Sequence, residues 1–514
     1  MRAARDRPVL HSEAARPGFL LPVVLVIVTL LTLAVYLLLD RTANERTIGT
    51  ALVQRRQAEM AAASAGDRML AMSLEDPLFD PLLVASWSFP IDERAEVTLL
   101  AMAPDGGGLL PGVESEGGRL NLNTLAEVDL PEEDAALVLV AASDNRLTED
   151  LADLILDFID ADSQTRPLGD ETGLSGVPVR NLPLDTLDDL LAVPGMTPDL
   201  LYGEDANRNG LLDLSEDDGD ETAPPDNADG VLDRGLAAYF TVASREATTT
   251  PDGQPRVNLN QDDLSQLEAD LSAYSFTEEA ITYLMIARKE GVDTSALLST
   301  EGGGQSGAQD GGGPNGGGQG GRGDSPGGGF EGGNPLGDPF GGEGGENQPS
   351  KRLESLGDVL FPLADDAGTP SPFASDADAL RLLFDVAALS DEPTVSGRLD
   401  IAAVDPVVIS GLPSLDVGLA ETIVSRAGEF TNIADLYNEG LLDAVQFRAV
   451  ADVLTIGSST YRFQAIGFVR GGPAVRYEFL LDVADPTEPR LLRQTDLMEV
   501  GLAVDRGLFE PAAE

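Results

Sequence analysis

Phe19–Leu39 reads FLLPVVLVIVTLLTLAVYLLL, a run without a single charge, closed by Asp40 and Arg41. As a helix at about 1.5 Å per residue it spans about 30 Å, the thickness of a bilayer's hydrocarbon core. Ahead of it, residues 1–17 carry Arg2, Arg5, Arg7 and Arg16 against Asp6 and Glu13. That basic flank keeps the N-terminus in the cytoplasm and sends the remaining chain outside. A secretory signal has a shorter apolar run and a small-residue cleavage site, and Leu37-Leu38-Leu39-Asp40 is a poor one. A plain signal anchor is therefore the first reading, with residues 41–72, rich in helix formers and weakened only at Gly49 and Gly66, continuing the helix as a stalk.

Working outward, the composition removes most catalytic designs. The 514 residues allow two to four domains, and 42% of them are hydrophobic. Against 33 bases stand 88 acids, a formal net charge of −55. Such a field repels phosphate, so nucleic acid is not an expected partner, and it suits a compartment rich in divalent cations. With no cysteine, disulfides, zinc–thiolate sites and thiol nucleophiles are excluded. The one histidine, His11, lies in the leader, so a Ser/His/Asp site or His-based proton shuttle has no member in the body of the chain. Carboxylate-only enzymes remain open, although one Trp, Trp87, and few aromatics leave little for a sugar-stacking cleft.

Past the stalk, Glu96–Met102 reads as a short strand. Residues 119–300 alternate helical patterns with acidic loops, and residues 351–456 are helical again. Between them, 301–350 holds 23 glycines and only Ala308, Phe330, Leu336 and Phe340 as apolar residues, a linker that cannot fold alone. Near the end, YRFQAIGFVR, GGP and AVRYEFLLDV (461–483) alternate as a β-hairpin, followed by PRLLR at 489–493. An echo recurs at Arg119-Leu120-Asn121-Leu122-Asn123, Arg256-Val257-Asn258-Leu259-Asn260 and Arg398-Leu399-Asp400-Ile401, each an extended run whose Asn or Asp is placed to cap a following helix.

The sharpest chemical signal is Asp205–Glu216, which fits a twelve-place EF-hand loop. Side-chain oxygens stand at places 1, 3, 5, 9 and 12 (Asp205, Asn207, Asn209, Asp213, Glu216), glycine at 6 (Gly210), and Leu211 offers its carbonyl at 7. Calcium takes six to eight hard oxygens on a sharply turning loop. The window 201–235 holds 11 acids and 2 bases, a density that calls for a cation. Asp226, Asp229 and Asp233 outline half of a second loop, with Pro225 at place 1 and Leu236 at place 12; they either close the first site or make another. Asp160, Asp162 and Glu171 form a third candidate without a glycine at place 6. The turns 191–196 and 409–415 have the form of helix-hairpin-helix units, whose amides hold DNA phosphates when basic residues stand nearby; a purely structural hairpin is the alternative.

Four stretches together resemble a family. LADLILDFIDADSQTRPLGDETG (151–173) and VPVRNLPLDTLDDLLAVPGM (177–196), flanked by NLNTL and VNLNQDDL, are similar to the K-type minor pseudopilin of type II secretion, general secretion pathway protein K. The family's Asp-Trp-Ile-Asp-x-Asp pattern stands here as Asp157-Phe158-Ile159-Asp160-Ala161-Asp162, with Phe for Trp, and its Gly-Ala-Glu as Gly169-Asp170-Glu171. The resemblance gives Gly18-Phe19 a second meaning, as a prepilin peptidase cut followed by methylation of the new amine. Pilin-class signals usually carry glutamate at the fifth place after the cut. Here that place is Val23, as is usual in this family. A carboxylate in the bilayer is costly unless it meets a cation, so a subunit without it is suited to a fibre tip. Pro17, Pro22 and the Gly-rich insert depart from the pattern.

The resemblance implies an α+β fold. A leader (1–18) precedes a transmembrane and stalk helix (19–75) and the start of a pilin-like β region (76–118). A helical domain with calcium loops (119–300), the linker (301–350) and a second helical, helix-hairpin-helix or SAM-like domain (351–456) interrupt the sheet, which resumes in a C-terminal β region (457–514). It also implies a non-catalytic subunit bound to calcium, to I- and J-type minor pseudopilins and the pseudopilus, to the prepilin peptidase and to the inner-membrane platform, with the head in the periplasm. Two expectations from other classes are a membrane-anchored calcium-dependent envelope hydrolase and a DNA-binding or DNA-uptake helix-hairpin-helix protein.

Overall fold

A computed structural model of the chain describes residues 20–76, 79–84, 86–102, 108–127, 132–173, 179–219, 221–222, 224–295 and 351–497. The leader, the Gly18–Phe19 junction and the Gly-rich stretch 301–350 lie outside the described residues. The fold is α+β, and its N-terminal helix α1 is continuous over Leu20–Glu75. It is the one helix among the described residues long and apolar enough to cross a membrane. Residues 21–39 are exposed throughout, as a lipid-facing surface is. Farther along, Ala58, Ala61, Ala62, Ala65 and Met69 fall on one buried face at the spacing of a helical stripe.

That alanine stripe lies on an antiparallel sheet. The first strands are β1 (Ser88–Pro90), β2 (Ala95–Met102), β3 (Leu109–Pro111) and β4 (Glu114–Ser115); after the helical insertion come β5 (Thr460–Val469), β6 (Ala474–Asp482) and β7 (Arg490–Asp496). The order is β1-β2-β5-β6-β7, with β3 on β2 and β4 on β5. Representative register pairs are Ser88↔Thr98, Leu100↔Gln464 and Phe463↔Phe479. Small residues let α1 approach closely. A Cβ on Gly467 would sit 2.3 Å from both the Ala58 carbonyl oxygen and the Ala62 nitrogen. One on Gly66 would sit 2.7 Å from Leu491 and 2.8 Å from Phe479. Gly66 is therefore a crossing point of helix and sheet, where the sequence shows only a weak place in a helix.

The insertion leaves the sheet after β4 and returns at β5, and those two strands are partners, Ser115↔Tyr461 and Glu114↔Arg462. Its two ends thus meet at one neck. Within it, three parallel two-residue ladders tie distant chain together: Leu120-Asn121 with Phe240-Thr241, Val257-Asn258 with Ala387-Ala388, and Leu399-Asp400 with Leu454-Thr455. These are the three echoes. Asn121, Asn258 and Asp400 each accept the amide two residues on, at 3.0, 2.8 and 3.1 Å. Asn121 thereby caps the short helix Leu122–Glu127, while Asn258 and Asp400 close the turn that leaves the ladder. The second asparagine then acts as a clamp. Asn123 both accepts the Leu184 amide (2.7 Å) and donates to the Leu184 carbonyl (3.0 Å). Asn260 does the same with Leu353, at 2.9 Å both ways.

Residues 119–300 and 351–456 contribute to a shared core. One buried apolar cluster runs from Leu120 to Leu454, and Tyr283 packs edge-on against Phe373 with centroids 5.8 Å apart. The reason is the middle ladder, which joins chain from both sides of 301–350. The helix after the turn 191–196 spans Pro198–Tyr202 and stops where the chain at Gly203 (φ +62°) presses on the backbone of Asp233 and Gly235, where a Cβ would lie 2.4 Å from an oxygen. At the other turn, Pro406–Ser410 is followed by the helix Val417–Arg426. There Asp405 and Asp416 accept the first free amides, at 2.9 and 2.8 Å. Carboxylates already hold the places a DNA phosphate would take.

Candidate metal centre

Helix α2 (Glu149–Ile159) is amphipathic, yet its buried face carries Asp153 and Asp157; Asp160 caps its C-terminal end. Asp157, Asp160 and Glu171 converge, each offering a carboxylate oxygen within 4.8 Å of the others. The loop 166–171 folds over them. The Arg166 amide lies 3.3 Å from each Asp157 oxygen, and the Leu168 amide donates to Asp153 at 3.0 Å. Gly169 makes this closeness possible, since a Cβ there would fall 2.0 Å from Asp157 Oδ2. Asn181 (φ +47°) donates to Glu171 Oε2 at 3.1 Å and to the Asp162 carbonyl at 2.7 Å.

The electrostatics of this trio are unbalanced. Arg166 is the nearby cation, 3.5 Å from Asp157 and from Asp160. Burial, reinforced by Glu171 and Asp160, pushes the Asp157 carboxyl up to about 7. Burial also raises Asp160, together with the Asp162 charge, and raises Glu171. Asp160 Oδ1 and Glu171 Oε1 are buried without any hydrogen-bond partner. Hard oxygens, excess negative charge and two unpartnered oxygens facing one point fit a divalent cation such as calcium. The trio is not the one read from the sequence: Asp162 is exposed and holds the Gln164 amide (2.6 Å), while Asp157 takes its place. The signal for Asp157 was an acid at i−3 from Asp160 on an otherwise apolar helix face.

The loop 205–216 folds as a tight, oxygen-lined turn. Asp205 accepts the Asn209 amide at 2.8 Å and the Gly210 amide at 3.0 Å. Asn207 and Asn209 donate side-chain N–H groups to Asp213 at 2.6 and 2.8 Å. Asn209 Oδ1 accepts the Leu211 amide at 2.6 Å, and Glu216 accepts the Asp213 amide at 3.1 Å. Gly210 at φ +71° makes the turn that only glycine adopts without strain. Burial raises Asp205, and raises Glu216 with help from Asp205 and Asp213. Unlike the trio, Asp205, Asp213 and Glu216 are not drawn together as a group of carboxylates, and the Asn207 and Asn209 oxygens accept the Asn209 and Leu211 amides. The wholly buried Arg476 anchors this turn to the sheet, donating to the Asn209 carbonyl and, at 2.8 Å, to Gln464.

The residues Asp226, Asp229 and Asp233 do not join that turn as ligands. Asp226 accepts the Asp218 and Gly219 amides at 3.0 and 2.8 Å. Asp229 accepts the Val231 amide at 2.8 Å. Asp233 is paired with Arg146 at 2.7 Å. Their organiser is Glu204, buried and missed in the sequence because it lies one place before the EF-hand pattern. It accepts the Asn227 and Asp233 amides at 3.1 and 3.2 Å.

Comparison with known proteins bears on what carries these groups. Residues 118–202, which include α2, the trio and the first clamp, match the family model of type II secretion system (T2SS) protein K. Over those residues the chain is similar to that family. The matched stretch begins at the neck, on the last residue of the short turn Glu116–Gly118 that follows β4. No curated protein matches the chain. A solved chain, in the crystal structure of the GspK-GspI-GspJ complex from the enterotoxigenic Escherichia coli type 2 secretion system, is 14% identical, over 89% of this chain and 99% of that one. Its TM-score is 0.30, too low to argue from. The neck that introduces the matched stretch is held by Glu116, wholly buried. Arg462 grips both its oxygens, at 2.7 and 3.0 Å, and Arg119 reaches it at 3.1 Å. These cations outweigh the burial and hold the Glu116 carboxyl far below the usual range.

Proposed function

We propose that this protein is a non-catalytic minor pseudopilin of a type II secretion system, placed at the tip of the pseudopilus and helping to start its assembly. The observation that carries the reading is the stretch similar to protein K, inserted between two partner strands of a sheet that packs on a long N-terminal helix. A subunit of this build lays its helix along the fibre axis and presents the insertion as a wide head, too broad for a place inside the shaft. The I- and J-type minor pseudopilins are its proposed neighbours, and the inner-membrane platform its site of assembly. Processing by prepilin peptidase between Gly18 and Phe19 would free the helix for the fibre. Lacking a glutamate at Val23, the chain has no carboxylate to offer the amine of a subunit above it.

Calcium belongs to this proposal as the stabiliser of the head. Asp157, Asp160 and Glu171 would hold one ion, and Asp205, Asp213 and Glu216 with the Asn207 and Asn209 oxygens another; a cation that binds only the folded state stabilises it by mass action. The deciding experiment is the mature N-terminus, by intact mass and peptide mapping from native membranes. An N-methylated Phe19 is expected. A chain beginning at Met1 or Arg2 would overturn the fibre-tip role.

A further inference from the structure

Between the head and the sheet lies a cleft of about 710 Å³, a volume in the range of small-molecule sites. Its floor is one face of three strands. The register places Arg462 of β5 beside Leu480 of β6, and Leu480 beside Arg493 of β7, a row about 10 Å long at the usual strand spacing. Leu184, Leu187 and Tyr202 of the head line the opposite wall as an apolar roof. The edge strand β7 marks the mouth. There burial opposes the ionisation of Asp188, but Tyr202, Arg208 and Arg493 together hold its carboxyl below the ordinary value, so strand and head meet across the opening.

The inner end lies toward β2 and β4, where Arg234 is held. Its guanidinium meets the Met102 sulfur at 3.0 Å, and its nearest carboxylate, Glu114, stands 3.9 Å away and is already taken by Arg119. Burial and the Arg119 charge lower the Arg234 guanidinium from its ordinary value, Glu114 opposes them, and Arg462 adds to the fall. The acids of the cleft are spent elsewhere. Glu478 lies between Arg462 and Arg493, at 3.5 and 3.3 Å. Asp188 holds Arg208 at 2.9 Å, Asp185 holds Arg180 at 2.6 Å, and Asp205 accepts the Asn209 and Gly210 amides. Ser244, whose hydroxyl is buried without a hydrogen-bond partner, lines the same cleft. A largely buried guanidinium whose partners are a thioether and a shared carboxylate is short of negative charge. Its paired N–H donors suit carboxylate oxygens. We propose that the cleft binds an amphipathic carboxylate, its anionic end on Arg234 and its apolar body running outward over Leu480, under Leu184 and Tyr202, toward Arg493. A free organic acid and the C-terminal end of a polypeptide share this chemistry.

The test is calorimetric titration of the full chain in phosphatidylcholine nanodiscs, against empty nanodiscs. The probes are phenylbutyrate, its uncharged amide, inorganic phosphate and a pentapeptide ending in a free leucine carboxylate. Phenylbutyrate is expected to bind at least about tenfold more tightly than the amide, the worth of a charge-assisted hydrogen bond. Arg234→Gln should weaken it by a similar factor, while Lys289→Gln, outside the cleft, leaves it unchanged. Thr495→Phe, on the cleft face of the edge strand, keeps every charge and fills the floor. It should abolish binding while retaining the wild-type melting curve, and it keeps the test open if Arg234→Gln unfolds the head. A pentapeptide that binds more tightly than phenylbutyrate assigns the ligand to a polypeptide end, and the reverse assigns it to a free acid; either supports the site. The proposal is overturned if neither carboxylate binds, if acid and amide bind equally, or if phosphate binds as tightly as phenylbutyrate. An affinity for phenylbutyrate that survives both variants overturns it as well.

Discussion

Glu171→Gln is expected to change the stability of the head in opposite directions with and without calcium. Asp157 is wholly buried, and its carboxyl is pushed up to about 7 from an ordinary value of 3.8. At 1.36 kcal/mol per unit, keeping it ionised above that pH costs about 4 kcal/mol when no cation is present. Unit charges 4.8 Å apart repel by about 3.5 kcal/mol at an effective dielectric constant of about 20. Arg166 offsets part of this. Removing the Glu171 charge should therefore raise calcium-free stability at pH 8 by about 1–2 kcal/mol. The pH dependence has a definite sign. An acid whose folded pKa is raised binds more protons when folded, so the calcium-free head loses stability from about pH 4 to about pH 7, and no more above it. With calcium at a hundred times its Kd, wild type gains about 2.7 kcal/mol, and the variant gains far less. Melting followed by near-UV circular dichroism, with chelator and with calcium, reads both effects. Equal calcium shifts in wild type and variant would refute the assignment of the trio.

Three other substitutions probe the rest. Gly169→Ala places a methyl 2.0 Å from Asp157 Oδ2; it should cost about 1–3 kcal/mol and abolish the calcium shift of the trio, whereas Gly428→Ala, with open space around its Cβ, should alter the melting curve little. Glu116→Gln leaves the half-buried Arg462 without its main counter-charge and should cost about 3 kcal/mol. Because the Glu116 carboxyl is held down, its contribution is present at neutral pH and is lost on acidification below the ordinary carboxylate range, so urea midpoints of wild type and variant should converge there. Gly467→Val drives side-chain carbons into the Ala58 and Ala62 backbone and should detach α1 from the sheet, read as faster hydrogen exchange over 58–69.

The long-period features were legible in the sequence, and the short ones were not. The uncharged run of α1 and the alternation over 461–483 announce themselves because each repeats one physical requirement over many residues. Strand β7 was passed over as PRLLR because its pattern is that of an edge, half-buried and exposed in turn. The three ladders are two residues long and carry no periodicity. Their echo was visible, but its meaning was not, since an asparagine that clamps a carbonyl and an amide sixty or more residues away looks the same as one that caps a helix. Asp157 and Glu204 were missed for related reasons. One sits on a helix face that hydrophobic patterning assigns to the core, the other just outside a motif whose register fixed attention on its twelve places. In both cases a carboxylate at a buried position was the signal, and its value depends on a partner that only the fold supplies.

The neck and the loop 205–216 act on the same face of the sheet at two points, since Arg462, Gln464 and Ile466 alternate onto one face and Arg476 pairs with Ile466. Glu116 binds Arg462 on β5, while the carbonyl of Asn209 receives the guanidinium of Arg476 on β6. Arg462 and Arg476 are both drawn from the hairpin that packs on α1. Burial brings the Arg476 guanidinium down to about 10, with Asp205, Glu478 and Asp213 opposing the fall. Asp205 and Asp213 thus act on a buried arginine of the sheet as well as on groups of their own loop. On the proposed reading a cation in the loop would compete with Arg476 for the same carboxylates, so the contact at β6 would respond to divalent cations. The contact at β5 rests on the Glu116–Arg462 ion pair and responds to acid instead. Two attachments with different chemistries then hold the head on the hairpin, and chelation and acidification should loosen them separately.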